Sequence, residues 1–496
     1  MCTAPRFLWK AGLQNSVHTF LTAEDCVGSD LNCYSRGLAR KQVWTLELNK
    51  DETVFLKSHS GHYLTTDKYG MVKCEVTQRT PEGKFNVDFS PFGSGRWAFK
   101  SEMFGNYLGG TENKVTCTAR NITEGELWYV QAAMHPQIAL GNKRRKRYFC
   151  LEGQEIRCHN VIPWGPNSIF TVEYHMGKYL IKTPDNRYLH KDGSLVGTKV
   201  KEAQYTLELR VNPESKLEGI VFRDDDGKCL SGVGAAGILK SRNTKISDDE
   251  IFHLEESQPQ IVLECPNGSN ATIQAGYELW ASSKQMTESE IFQLVFDKSS
   301  NKFCLLSSET KYWTLNKNGG LQATSNNIDG QCLLQFEYVK GAIAIMASNR
   351  KYVSIRPNGQ LVAKSSSIGP NEMFYLRLAN RPHLVLKTEF GFVGKKIPIV
   401  TEPEYMCNKS EYEIMRLEYF EKGQYYIKGD NSKYWNMSRN NSIVSKGIRP
   451  EPFIIEMVGH CKIAILGPNS KYVNAEKIGI LSASLDEKSP SCYWDF

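Results

Sequence analysis

With 496 residues the chain is too long for one hydrophobic core, because single cores stop growing at about 250–300 residues. Its composition of 41% hydrophobic and 23% charged residues, without a long polar tract, excludes extensive disorder, and no run approaches the ~18 apolar residues of a membrane-spanning helix. A net charge of +7 favours acidic partners without choosing among protein, nucleic acid and anionic lipid.

From the N-terminus, Met1 to Lys10 lacks the apolar segment of a secretory signal, so a cytosolic or nuclear protein is expected. Fourteen cysteines are scattered with no C-x-x-C pair, which in that compartment predicts reduced thiols serving mostly as small buried hydrophobes. Asn121-Ile-Thr123 and Asn270-Ala-Thr272 are then chance sequons.

One phrase recurs along the chain: a polar turn, an aromatic followed by an apolar residue, a Gly or Asn turn, and an aliphatic strand start. It appears at Gly61-His-Tyr63-Leu64, Gly105-Asn-Tyr107-Leu108, Asn186-Arg-Tyr188-Leu189, Thr310-Lys-Tyr312-Trp313, Arg350-Lys-Tyr352-Val353, Ser432-Lys-Tyr434-Trp435 and Ser470-Lys-Tyr472-Val473. Weaker copies centre on Phe20, Tyr148, Cys229, Ala271 and Phe392. These twelve anchors lie 38 to 44 residues apart, a period that defines twelve repeats of about 41 residues. Each repeat closes on an alternating strand with an aromatic, such as Trp44-Thr-Leu-Glu47, Trp128-Tyr-Val130 or Phe252-His-Leu254, so the chain reads as strands and hairpins throughout. Pro136, Pro259 and Pro382 fall 123 residues apart, three periods each, and proline suits the first residue of a strand. The expectation is an all-β protein of four tandem β-trefoil domains at 1–135, 136–258, 259–381 and 382–496. A pair of six-bladed propellers is the rival, but it gives no reason for a seam at every third repeat.

Motifs for chemistry are sparse. Gly232-Val-Gly234-Ala-Ala-Gly237 matches a dinucleotide fingerprint, yet the strand start Ile238-Leu239-Lys240 follows where a helix is required, so it reads as a turn. His59 and His62 lack the helix that would put them on one face, and no metal is expected. No nucleophile elbow, zincin or phosphate-loop motif occurs, so no catalytic residue is predicted. Gln42-Val43-Trp44 is the sole Gln-x-Trp, against one per lobe in sugar-binding trefoils. Two basic features remain: the run Lys143-Arg-Arg-Lys-Arg147, and Arg36 with Arg40-Lys41 ahead of a strand expected to start at Gln42. The run reads either as a solvated hairpin tip or as a contact for an acidic partner.

The phrases Arg40-Lys-Gln-Val-Trp-Thr-Leu-Glu47, Tyr107-Leu-Gly-Gly-Thr-Glu112, Met134-His-Pro136, Lys311-Tyr-Trp-Thr314 and Asn380-Arg-Pro382 together resemble the fascin family over essentially the whole chain. Within it, the divergence and the cysteine content are most like the testis branch, implying expression in spermatids. The resemblance implies a monomeric, cytoplasmic cross-linker of filamentous actin, part of the cytoskeleton, that builds tight parallel bundles through two or more basic faces. It implies no enzyme activity, no cofactor, no nucleic-acid partner and no integral membrane association. Carried over residue by residue, it points to Arg40, Lys41, Arg145, Lys146, Arg147, Arg356 and Lys396 as actin-binding. The family's regulatory phosphoserine falls at Gly37 here, with Ser35 as a possible substitute phosphosite. Other family cations are replaced by Thr19, Ala39, Pro357, Phe390 and Asn474, with Lys395, Lys396 and Lys477 nearby. The alternative is a non-bundling trefoil scaffold for another acidic protein or an anionic surface.

Overall fold

A computed structural model describes residues 7–24, 31–90, 93–111, 114–339, 341–395 and 405–496. Among them there is no α-helix, only strands and eight short 3-10 turns. The strands fall into four groups, with residues 7–132 and residues 137–256 each forming a twelve-stranded sheet. Residues 260–378 form sheets of eight and four strands, and residues 383–495 one of thirteen. The extra strand in the last group comes from a broken first strand, His383–Leu384 and Lys387–Thr388.

In each group the first strand pairs with both the fourth and the last, which closes the sheet on itself. Phe7–Gln14 pairs with Trp44–Leu48 and with Trp128–Ala132, and Gln137–Asn142 pairs likewise with Phe170–His175 and Phe252–Glu256. In the first group this completes a six-stranded barrel through Val54–Ser58, Lys84–Phe89 and Arg96–Ser101, with the other strands paired as hairpins at one end. Closure removes exposed sheet edges, and that architecture, repeated four times, is the tandem β-trefoil array read from the repeat.

All twelve anchors lie at or next to the start of the second strand of their repeat. In ten repeats, from His18 to Ser470, the residue two positions earlier has a left-handed φ, between 51° and 89°. This position turns the chain into the strand and tolerates Gly or Asn best. The tyrosine at the anchor is explained by a partner that no local pattern announces. Tyr63, Tyr188, Tyr434 and Tyr472 each donate their hydroxyl to a carboxylate two strands earlier in the chain, Glu47, Glu173, Glu418 and Glu456 respectively. Lysines lie over all four rings, Lys57 on Tyr63, Lys182 on Tyr188 and Lys428 on Tyr434 at 5.2–5.6 Å and Lys488 on Tyr472 at 5.9 Å. Glu456 is 2% exposed and also binds Lys488 at 2.8 Å. Tyr472→Phe is therefore expected to cost about 1–2 kcal/mol in urea unfolding, because it removes one bond from a buried carboxylate without opening a cavity.

The described chain divides into two compact units: residues up to 163 with 167–256 and 389–391, and residues 164–166, 257–388 and 392–496. In the first unit two barrels share one apolar cluster in which Trp97 stacks on Trp9 at 5.7 Å and donates its indole N–H to the Leu207 carbonyl at 3.1 Å. Tyr179 is fully buried between the two barrels; its hydroxyl donates to the Val130 carbonyl at 2.7 Å and accepts from the Ala132 amide at 3.1 Å. The second unit repeats this joint 246 residues on: Tyr425 donates to Leu376 at 3.1 Å and accepts from Leu378 at 2.8 Å. All twelve described cysteines are free thiols and eleven are buried; burial pushes Cys33, Cys229 and Cys304 up to about 12.

Glu208 supplies an acid-sensitive contact in the first unit. Burial alone pushes its carboxyl up, but Arg223 and Arg210, each at 2.8 Å, outweigh that and leave it below its ordinary value. A carboxylate with a depressed folded value contributes stability that is complete above its unfolded value of about 4.3 and is lost as pH falls through the lower folded one. Thermal melts should show stability declining below about pH 4.3, with a shallower decline in Glu208→Gln.

Candidate functional site

The basic run at 143–147 begins where the second group's first strand, Gln137–Asn142, ends and the strand Arg147–Glu152 starts. Its five cations do not share one fate. Lys143 is folded inward: its ammonium donates to the Glu218 carbonyl and sits 5.0 Å from the Phe7 ring centroid, and burial holds it below its ordinary value. Arg144 is exposed but paired with Asp249.

Arg145 is also turned inward, onto the backbone of the glycine-rich turn that resembled a nucleotide fingerprint. Its guanidinium donates to the carbonyls of Gly232 at 2.7 Å, Gly234 at 2.9 Å and Ala235 at 3.5 Å, with Asp249 3.8 Å from Nε. A Cβ on Gly237 would sit 3.1 Å from that guanidinium and 2.8 Å from Cys158, so the turn is small because an arginine and a strand fill the space around it. Lys146 and Arg147 are exposed, like Arg144. Lys146 occupies the left-handed position of the repeat, with φ 51°, at the tip of the turn. The Arg147 guanidinium donates to the neighbouring Lys146 carbonyl at 3.0 Å.

In the first trefoil Arg40, Lys41 and Gln42 form a 3-10 turn, and the strand begins at Trp44 rather than at Gln42. The reason is local: the Gln42 side chain turns back to accept from the Ala39 amide at 3.2 Å and donates to the Thr22 hydroxyl at 3.1 Å. Trp44 is fully buried and donates to the Leu21 carbonyl at 2.9 Å, so this Gln-x-Trp is core rather than a sugar platform. Arg40 is exposed, whereas Lys41 forms an ion pair with Glu24 at 2.7 Å. Ser35 is partly buried, and its hydroxyl donates to the Gly37 carbonyl at 2.8 Å and accepts from the Gly37 amide at 3.3 Å. Gly37 itself faces open space: among the described residues, its chain neighbours aside, no atom lies within 4 Å of the place a Cβ would take.

In the second unit Arg356 is half-buried and donates to the Gln360 side chain at 2.9 Å. Lys395 pairs with Asp430, and Lys396 lies outside the described residues. Sequence reasoning missed Asp249, Glu24 and the carbonyls of the Gly232–Gly237 turn as partners of these cations. The one available signal was Asp248-Asp249-Glu250, three acids that open a 3-10 turn just before the closing strand Phe252–Glu256.

Four groups of strands in which the first strand pairs with the fourth and the last, with the single Gln-x-Trp buried in the first, define a tandem β-trefoil protein. The Fascin domain matches residues 17–130, 139–254, 266–376 and 404–496. Fascin-2 of Bos taurus is 35% identical over 491 residues, covering 98% of this chain and 97% of the relative, and Fascin of Strongylocentrotus purpuratus is 32% identical over 509 residues at 98% and 99% coverage. Fascin-3 of Mus musculus is 23% identical over 494 residues, at 98% and 97% coverage. The chain belongs to the fascin family.

Proposed function

We propose that this chain binds filamentous actin as a cytoplasmic monomer and cross-links filaments into tight parallel bundles, without a cofactor and without catalysis. The observation that carries the reading is the fascin match in all four trefoils, together with relatives aligned along nearly the full chain. Lys146 and Arg147, at an exposed turn, supply the second-trefoil contact, and Arg40 with Lys41 supplies the first. Arg356 and Lys396 supply cations of the second unit. Arg145 acts by holding the basic turn in shape. Exposed ion pairs contribute about 0.2–1 kcal/mol each and weaken with salt, so tight bundling rests on avidity along the filament.

Co-sedimentation with filamentous actin tests this. Actin pelleted at low speed at low salt, and released as salt rises, supports bundling; pelleting at high speed only indicates a single actin face, and no binding at either speed leaves the scaffold reading. A second experiment probes the first-trefoil turn. Because Gly37 opens on free space, Gly37→Asp is expected to fold normally and to weaken actin binding several-fold by like-charge repulsion. Ser35→Glu is expected to act in the same direction, and unchanged actin binding in both variants removes this turn from the contact.

A further inference from the structure

The hairpin of Arg147–Glu152 and Glu155–Asn160 carries a donor set that the actin reading does not use. Cys150 and Glu152 alternate onto one face of the first strand, and Cys150 is registered opposite Arg157. A register shift at Tyr148/Phe149 leaves His159 unpaired in the ladder, two residues beyond Arg157 and on the same face. Three donor atoms of different chemistry converge there: His159 Nε2 lies 2.7 Å from Glu152 Oε1 and 3.7 Å from Cys150 Sγ, and Cys150 Sγ lies 3.9 Å from Glu152 Oε1. All lie within 4.8 Å of one another.

We propose that Cys150, Glu152 and His159 bind one borderline-soft divalent cation, zinc being the fitting one, with its fourth position open to solvent. A tetrahedral zinc with its usual Zn–S, Zn–N and Zn–O lengths holds such donors about 3.4–3.6 Å apart. The two contacts of the sulfur are therefore within about 0.3 Å of that spacing, and only the His159–Glu152 pair has to open. Sulfur, imidazole and carboxylate together favour zinc over the hard cations magnesium and calcium. The site keeps one buried ligand, Cys150, and two half-exposed ones, His159 and Glu152, so a path for the ion exists from solvent.

The neighbouring cation does not close the site. Arg157 approaches the other oxygen of Glu152, Oε2, at 3.3 Å, while its Nε and a terminal nitrogen both bond Glu155, at 3.0 and 2.8 Å. Glu155 thus offsets the guanidinium charge, and Arg157 holds Glu152 in the outer-sphere manner that fixes carboxylate ligands. On binding, the Cys150 thiol gives up its proton to water and the sulfur's freed electron pair forms the metal bond; His159 likewise gives up to water the proton that its Nε2 shares with Glu152, or moves to the tautomer protonated on Nδ1, so that the Nε2 lone pair binds the metal, and no oxidation or reduction is involved.

Cobalt(II) titration of the full chain tests the proposal, because a thiolate-to-cobalt charge-transfer band appears only when sulfur is a ligand. One equivalent is expected to produce that band together with the visible bands of tetrahedral cobalt, and zinc is expected to displace it. Cys150→Ser should abolish the charge-transfer band, and His159→Ala and Glu152→Gln, at half-exposed positions, should each weaken binding about tenfold or more. The exposed His175→Ala should leave it unchanged. Absence of the band in the wild-type chain, a band that survives in Cys150→Ser, or binding unchanged in both His159→Ala and Glu152→Gln overturns the assignment.

Discussion

Tyr179→Ala is expected to lower the unfolding free energy of the first unit by about 3–5 kcal/mol, the range for deleting a large buried aromatic. The ring is fully buried against Tyr174, 5.1 Å between centroids, so its removal leaves a cavity between two barrels. It also leaves the Val130 carbonyl and the Ala132 amide without the hydroxyl that serves both. Tyr179→Phe separates the two contributions: it keeps the volume and loses the hydroxyl, and is expected to cost about 1–3 kcal/mol. Urea unfolding with hydrogen exchange is the measurement, and protection should fall in the strands Trp128–Ala132 and Lys178–Lys182 together. Tyr425→Phe in the second unit should match it, since its hydroxyl makes the same pair of backbone bonds. A Phe variant as stable as wild type would show that the hydroxyl contributes nothing to the joint.

The second large effect is expected at the basic turn. Lys146→Glu/Arg147→Glu reverses the two exposed cations beside Arg144, which is itself paired with Asp249, and should weaken actin binding at least about tenfold, about 1.4 kcal/mol, with little change in thermal midpoint. Lys146→Gly is the sharper control. At φ 51° a lysine is conformationally costly and glycine is not, so this variant should hold or raise stability while still losing affinity. Arg145→Met should behave in the opposite way, losing stability because three backbone carbonyls of the Gly232–Gly237 turn lose their donor. If Arg145→Met lowers actin binding with an unchanged melt, the guanidinium contacts actin directly and its assignment as a positioning residue fails.

The array of trefoils was open to reading because its signals are local. A strand alternates every two residues, an anchor turn needs a left-handed residue two positions before its aromatic, and a proline suits a strand start; each acts within about five residues. Pro136, Pro259 and Pro382 carry a tertiary role that the spacing hinted at: each carbonyl accepts a backbone amide from its own barrel's fourth strand, from Val172, Leu294 and Leu417 at 2.8–3.0 Å. The anchor tyrosines were visible as a repeat, yet their reason was not, because the carboxylates that Tyr188 and Tyr434 bond lie 15 and 16 residues back, two strands earlier in the chain.

The amino-acid sequence by itself determined the twelve-repeat all-β architecture, its grouping by threes and the residues in which positive charge is concentrated. Tertiary structure alone decided which of those charges face outward. Arg144 and Arg145 meet Asp249 and the Gly232–Gly237 turn 87 to 105 residues further along the chain, and Lys143 meets Glu218 at a separation of 75. Barrel closure brings such partners together, and no spacing in the run of five cations encodes it. A guanidinium gains more from several fixed carbonyls in a partly buried turn than from one exposed ion pair, so Arg145 turns inward while Lys146, held left-handed at the tip, keeps its ammonium in water.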